Sequence, residues 1–94
     1  MARLAIVRRL HLLPGREDAG LQWLRDTEPI RRQAGQEAQY VWHNTVDPSD
    51  YQFVQIWQDR AAYERWRASP ERARLASERS YYMTHEPTRM YDVC

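Results

Sequence analysis

FVQIWQDRAAYERWRASPERARL, residues 53–75, carries a strand and two helix starts in one uninterrupted run. Phe53 to Trp57 is rich in β-branched and aromatic residues, the composition of a strand on a half-buried pleated surface. Asp59 then offers a side-chain oxygen to the amides that follow it, and Ala62, Tyr63 and Trp66 recur at helical spacing. Ser69-Pro70 repeats the device, a cap residue followed by proline at the first helical position, and opens a run to about Arg79 with Leu75 and Ala76 turned inward. Two of the chain's four tryptophans, Trp57 and Trp66, lie in this segment. A strand that feeds an aromatic helix directly predicts a core and one wall of a pocket.

Upstream of it, Gln39 to Val46 alternates, with Tyr40, Trp42, Asn44 and Val46 on one side and Gln39, Val41, His43 and Thr45 on the other. Asp47-Pro48-Ser49-Asp50 is a turn by composition, so this strand and Tyr51–Gln58 form a hairpin with a four-residue loop. The return strand places Tyr51, Phe53, Gln55 and Trp57 on one face and Val54 and Ile56 on the other. The aliphatic pair suits helix packing, which predicts that the aromatic face is left open.

Residues 3–13 carry aliphatic side chains on both parities, as in a central strand covered on both sides. Arg8 and Arg9 interrupt that pattern. Either a bulge resets the alternation there, or one arginine points into a polar cavity, or the side chain lies along the surface with its stem buried. Pro14-Gly15 ends the strand. A helix over Arg16–Thr27 follows, with Gly20, Leu21, Trp23, Leu24 and Thr27 inward; Pro29 restarts it behind a Thr27 cap, and Gly35 ends the short second piece. Residues 84–93 read as a closing strand with Pro87 at its start or on an edge.

The order strand, helix, strand, strand, helix pair, strand predicts an α+β ferredoxin-like βαββαβ fold with an antiparallel four-stranded sheet, as a single domain over residues 1–94. Helices cover one face of such a sheet. The other face, if aromatic, is an association surface that a second copy could cover through a twofold axis. A chain of 94 residues buries only about 60 to 65% of its unfolded surface and gains from such cover.

Composition narrows the function classes. All 14 basic residues are arginine, balanced by 13 acidic ones to a net charge of +1, and no block of like charge could follow a phosphate backbone, so nucleic acid is not an expected partner. Cys94 is the single cysteine and excludes an intrachain disulfide. The opening MARLAIVRRL has too short an apolar run for a signal sequence, and no run approaches a membrane span. A soluble cytoplasmic protein with no membrane partner is expected.

The run RRLHLLPG, Gly35 before the second strand, the block VQIWQDRAAYERWRASPE and the closing MYDV together resemble the antibiotic biosynthesis monooxygenase superfamily of dimeric α/β barrels, over nearly the whole chain. The resemblance implies a homodimer packed through sheet faces, and a cavity between sheet and helices in each protomer. Active members oxidise aromatic polyketides or quinols with dioxygen and no cofactor, or bind and degrade haem; others have no assigned reaction. Trp57 corresponds to the strand tryptophan of the superfamily, and Trp66 to a helix tryptophan beside haem in the degrading branch. That branch ligates iron through a histidine about ten residues farther on, where this chain has Ala76, and keeps an asparagine where this chain has Arg8. Haem degradation is accordingly disfavoured.

Cofactor-independent monooxygenation of a small phenol, quinol or polyketide-type aromatic is the leading reading, with a non-catalytic ligand-binding or stress-related dimer as the alternative. The oxygenation needs a base to make an electron-rich anion, a cation to hold it, and an apolar chamber for oxygen. His43 or His11 is the candidate base, Arg8 or Arg9 the candidate anion holder, and Trp57, Trp66, Phe53 and Tyr51 the candidate walls. His11, His43 and His85 fall on three strands without metal-ligand spacing, so no metal is expected.

Overall fold

The computed structural model describes residues 2–94; Met1 lies outside the described residues. Nine elements follow in order: β1 (Leu4–Leu12), α1 (Glu17–Asp26), α2 (Glu28–Gln33), β2 (Gln36–His43), β3 (Tyr51–Trp57), α3 (Arg60–Arg67), α4 (Pro70–Arg79), β4 (Met83–His85) and β5 (Arg89–Asp92). The five strands form one antiparallel sheet in the order β2-β3-β1-β4, with β5 also paired to β1. The ferredoxin-like α+β plan read from the sequence is the fold observed. No helix among the described residues is long and apolar enough to cross a membrane.

The closing strand is two strands. β4 pairs with Leu10–Leu12 and β5 with Leu4–Val7, so both lie on the same edge of β1, end to end. Pro87, which has no amide hydrogen to give a ladder, falls between them. The interruption faces Arg8 and Arg9, and Glu86 N–H donating to Arg9 O at 3.0 Å is the bond that holds its start.

Local chemistry explains the element ends. The Asp59 carboxylate accepts from Ala62 N–H at 2.8 Å, and the Ser69 hydroxyl accepts from Arg72 N–H at 3.2 Å, so both expected caps of α3 and α4 form. Thr27 does not cap α2. Its backbone is already helical, at φ −94° and ψ −2°, and its hydroxyl donates back to Trp23 O at 2.8 Å. Gly35 has φ +118°, and a Cβ there would stand 3.0 Å from the Ala62 Cβ, so the turn into β2 passes against α3 only because this residue has no side chain. The hairpin loop is also longer than expected, because the Asn44 Oδ1 accepts from Val46 and Asp47 N–H and ends β2 at His43.

The faces of the sheet correct the expectation of an open aromatic side. Register pairs Leu4 with Trp57, Ile6 with Gln55, Arg8 with Phe53 and Leu10 with Tyr51, and all of these lie beneath the helices. Trp57 is fully buried against Tyr63 and Trp66 of α3, with ring centroids 5.6 and 6.0 Å away. The aromatic helix supplies partners that Val54 and Ile56 could not use as well, and this contact sets which parity of β3 faces inward. Val54 and Ile56 point to the open face, which also carries Tyr40 and Trp42 of β2 and Tyr91 of β5, exposed by 51%, 58% and 49%.

Two apolar clusters fill the space under the helices. Leu4, Ile6, Trp57, Tyr63, Trp66 and Leu75 belong to one, and Leu10, Leu24, Phe53 and Met83 to the other. Arg8 occupies the position on β1 between them. The sheet therefore brings a charged residue to the seam of its own core.

Candidate functional site

The seam is polar by construction. Arg8 is 7% exposed, with no irregularity in its pairing to β3, so the cavity reading of the sequence holds there and the bulge lies instead in β2, between Gln36 and Ala38. Its guanidinium donates from Nε to the Thr88 hydroxyl at 2.9 Å, from Nη1 to Gln55 Oε1 at 3.2 Å and from Nη2 to the Tyr63 hydroxyl at 3.2 Å. All three acceptors are neutral. Burial lowers its pKa, but an arginine remains charged at neutral pH.

A second arginine is buried on the opposite side. Arg31 of α2, 4% exposed, donates to Leu24 O at 2.7 Å and to Gln39 Oε1 at 3.1 Å, and its guanidinium carbon lies 5.5 Å from the centre of the Phe53 ring. Desolvation by burial pushes its pKa down to about 10. Arg8 and Arg31 are linked through amides: Gln55 Nε2 donates to Gln36 Oε1 at 2.9 Å, and Gln36 Nε2 to Gln39 Oε1 at 3.1 Å.

Between these two arginines lies a cavity of about 30 Å³ whose walls come from both sides of the fold. Trp23, Phe53, Trp66, Leu10, Leu75 and Met83 make it apolar. Arg8, Arg31, Gln55, Arg72, Arg79 and His85 make it polar. As it stands it has room for about two water molecules. Arg72 and Arg79 of α4, both half-buried, stand at its rim, and displacement of such long side chains is what would enlarge it. Burial pushes Arg79 down to about 10, with the like charges of Arg8 and Arg72 adding to that.

His85 brings the one imidazole to this cavity among the described residues. It pairs with Leu10 in register, on the side of the sheet that faces the helices. Its Nδ1 lies 2.7 Å from Glu86 O, an atom that can only accept, so Nδ1 carries the proton and in the neutral ring Nε2 is left with its lone pair. Burial holds its pKa below the ordinary 6.5, against the raising effect of that hydrogen bond, and the charges of Arg79, Arg8 and Arg72 lower it further.

The residues expected to form a site from sequence are divided by the fold. Arg8, Phe53 and Trp66 line the cavity. Trp57 lies in the core behind it, fully buried, and Tyr51 packs into the cluster around Leu10 and Phe53. His43 sits at the end of β2, stacked on Tyr51 with centroids 4.1 Å apart, its Nε2 2.9 Å from Pro48 O, outside the cavity. Arg9 and His11 point to the open face, where Arg9 pairs with Asp50 and Glu86, and His11 Nε2 lies 2.8 Å from Glu86 Oε2. One strand cannot send both Arg8 and Arg9 to the same side.

Sequence reasoning passed over Arg31, Arg72, Arg79, Gln55 and His85. For two of them a signal was available: Arg72, Leu75, Ala76 and Arg79 follow the i, i+3, i+4, i+7 spacing of a single helix face, and the inward assignment of Leu75 and Ala76 extends one turn each way to the arginines. Ala76 is on the cavity wall as well. Among the described residues no three His, Cys, Asp or Glu side chains gather as metal ligands.

The family model for antibiotic biosynthesis monooxygenase matches residues 3–77, which include β1, the hairpin, α3 and most of α4. The chain belongs to the antibiotic biosynthesis monooxygenase family. No curated protein matches it in sequence. Among solved structures, SnoaB from Streptomyces nogalater, a cofactor-independent oxygenase, superposes with a TM-score of 0.84 over 100% of this chain and 95% of its own, at 16% identity. A conserved protein of Methanosarcina mazei gives 0.79 at 13% identity over 97% and 92% of the two chains. A conserved protein of unknown function from Bacteroides thetaiotaomicron gives 0.79 at 5% identity over 98% of each. At these identities the likeness is one of fold, and it extends through the C-terminal strands that the family model does not reach.

Proposed function

We propose that this family member is a cofactor-independent oxygenase of a small aromatic substrate, with His85 as base and Arg8 as the cation that holds the resulting anion. The observation that supports it is that an imidazole and a buried guanidinium line one cavity walled by Trp23, Phe53 and Trp66. For a phenol or an anthrone, Nε2 of His85 would take the acidic proton, and Arg8 would stabilise the anion in a site from which water is largely excluded. That electron-rich anion reduces dioxygen without help. On an activated CH₂ group the balance closes with one oxygen atom entering the substrate as a carbonyl and the other leaving as water, so no external reductant is required. His85 takes the part that the sequence assigned to His43 or His11. The family match and the fold of SnoaB support the class of reaction.

In this reading the protein works as a homodimer, a second copy covering the open sheet face at Tyr40, Trp42 and Tyr91. As it stands the cavity is too narrow for an aromatic ring to sit beside His85, which speaks against turnover and favours a second reading, a ligand-binding dimer without turnover. Oxygen consumption with a panel of hydroquinones and anthrones separates the two. Turnover is expected from the wild type and from His43→Ala, with a loss of about 10²- to 10⁴-fold in His85→Ala. No consumption with any member of the panel would leave the binding module.

A further inference from the structure

Charge is unevenly distributed around Arg8. Behind it is the cavity just described; in front of it, at the break between β4 and β5, is a groove of about 310 Å³ lined by Arg8, Tyr63, Arg67, Arg72, Thr88 and Met90. Arg8 and Arg72 belong to both. Together the two spaces are lined by Arg8, Arg31, Arg67, Arg72 and Arg79, and no aspartate or glutamate lines either.

Arg3, Arg9 and Arg32 each find a carboxylate, from Glu37, from Asp50 and Glu86, and from Glu28. Among the described residues none of the five arginines of the two spaces is in an ion pair. Lack of an ion pair is not peculiar to these five, since Arg16, Arg25, Arg60, Arg65, Arg74 and Arg89 have none either among the described residues; what sets Arg8 and Arg31 apart is burial, at 7% and 4% exposed. A guanidinium has five N–H donors, and the three bonds of Arg8 leave two of them without an acceptor among the described residues. A buried cation with neutral partners and like-charged neighbours is costly to the fold, and the cost is relieved when a counter-ion enters.

We infer that the molecule accepted here carries an oxyanion, a carboxylate or phosphate group, held in the outer groove by Arg8, Arg67 and Arg72, with its aromatic part directed to the inner cavity. The groove is of the size of a small-ligand site, and it offers the Tyr63 and Thr88 hydroxyls beside the guanidinium groups. Planar guanidinium groups pair bidentately with both classes of oxyanion, so the arrangement fits either. The inference rests on the proposed reading of the inner cavity as the reacting site, and narrows its substrate from any phenol to a phenol or quinol bearing an acidic substituent.

Anaerobic calorimetric titration at constant ionic strength tests it with three probes: salicylate, phenyl phosphate and the neutral salicylamide. At least one of the two anions should bind ten-fold or more tightly than salicylamide, and the tighter anion identifies the group. Arg72→Gln and Arg67→Gln, at residues that are not fully buried, should reduce that preference to three-fold or less, and Arg8→Met should abolish it. Equal binding of the three probes, no binding of either anion, or a preference unchanged in all three variants overturns the inference. Because no oxygen is present, the result is independent of turnover: anion preference without oxygen consumption removes the oxygenase reading alone, whereas turnover of neutral anthrones without anion preference removes this one alone.

Discussion

Arg8 and Arg31, from the middle of the first strand and from the second helix, are joined through the core by three glutamine side chains, Gln55, Gln36 and Gln39. Each arginine donates into the end of the chain, and Gln39 Oε1 accepts from both Arg31 and Gln36. That fixes the direction of every amide between them. Two cations are thus held in one small interior by neutral groups, which orient the guanidinium groups without neutralising them.

Breaking this chain should cost more than one hydrogen bond usually yields. Gln55→Leu leaves Arg8 Nη1 without that acceptor and Gln36 Oε1 without its donor, and a loss of about 2 to 3 kcal/mol is expected in denaturant unfolding. The double variant Arg8→Met, Gln55→Leu should lose less than the two single changes added together, because the uncompensated cation is gone. Strict additivity in the cycle would contradict the coupling.

On the oxygenase reading proposed above, the pH dependence of turnover follows from His85. Its pKa in the folded protein lies below the ordinary 6.5, so the neutral base persists to lower pH than a free imidazole would. The acid limb of kcat/KM should therefore fall below pH 6.5. Stability has the same sign: between the folded pKa and the unfolded one the unfolded chain binds the extra proton, so the contribution of His85 is present above pH 6.5 and lost as pH falls through that window. His85→Gln should flatten this part of the stability curve. An acid limb above pH 6.5 would exclude His85 as the base.

Trp42 is the most exposed aromatic ring on the open sheet face, at 58%. Sedimentation of the wild type should give twice the chain mass of 11.3 kDa, and Trp42→Glu, which places a charge on the apolar face to be covered, should give the single-chain mass. A wild-type protein that sediments as a monomer contradicts the assembly directly.

The fold was legible because its signals are local. Asp59 and Ser69 cap the helices they were expected to cap, and the alternation from Phe53 to Trp57 is a strand. What alternation cannot say is which parity faces the helices. That is decided by packing across the chain, here by Trp57 against Tyr63 and Trp66, and the error about the open face follows from it. The site was less legible for the same reason. His43 and His85 are equally plain in the sequence; the register that pairs one with Tyr51 at the hairpin end and the other with Leu10 over the core is a long-range property. Arg8 was visible as a break in an apolar pattern, and its neutral partners, which come from positions 55, 63 and 88, were not.

The interruption at Pro87 also bears on how such a scaffold diversifies. Residues 86–88 are tied to the first strand by a single backbone bond from Glu86, while the ladders on either side are complete in themselves. Their length and side chains can change without disturbing Leu4, Ile6 or Trp57. Since Thr88 stands directly beside Arg8, a short insertion or exchange at this point would reshape the mouth of the groove while leaving the two apolar clusters intact. It is the place where relatives with the same architecture could acquire different substrates at little structural cost.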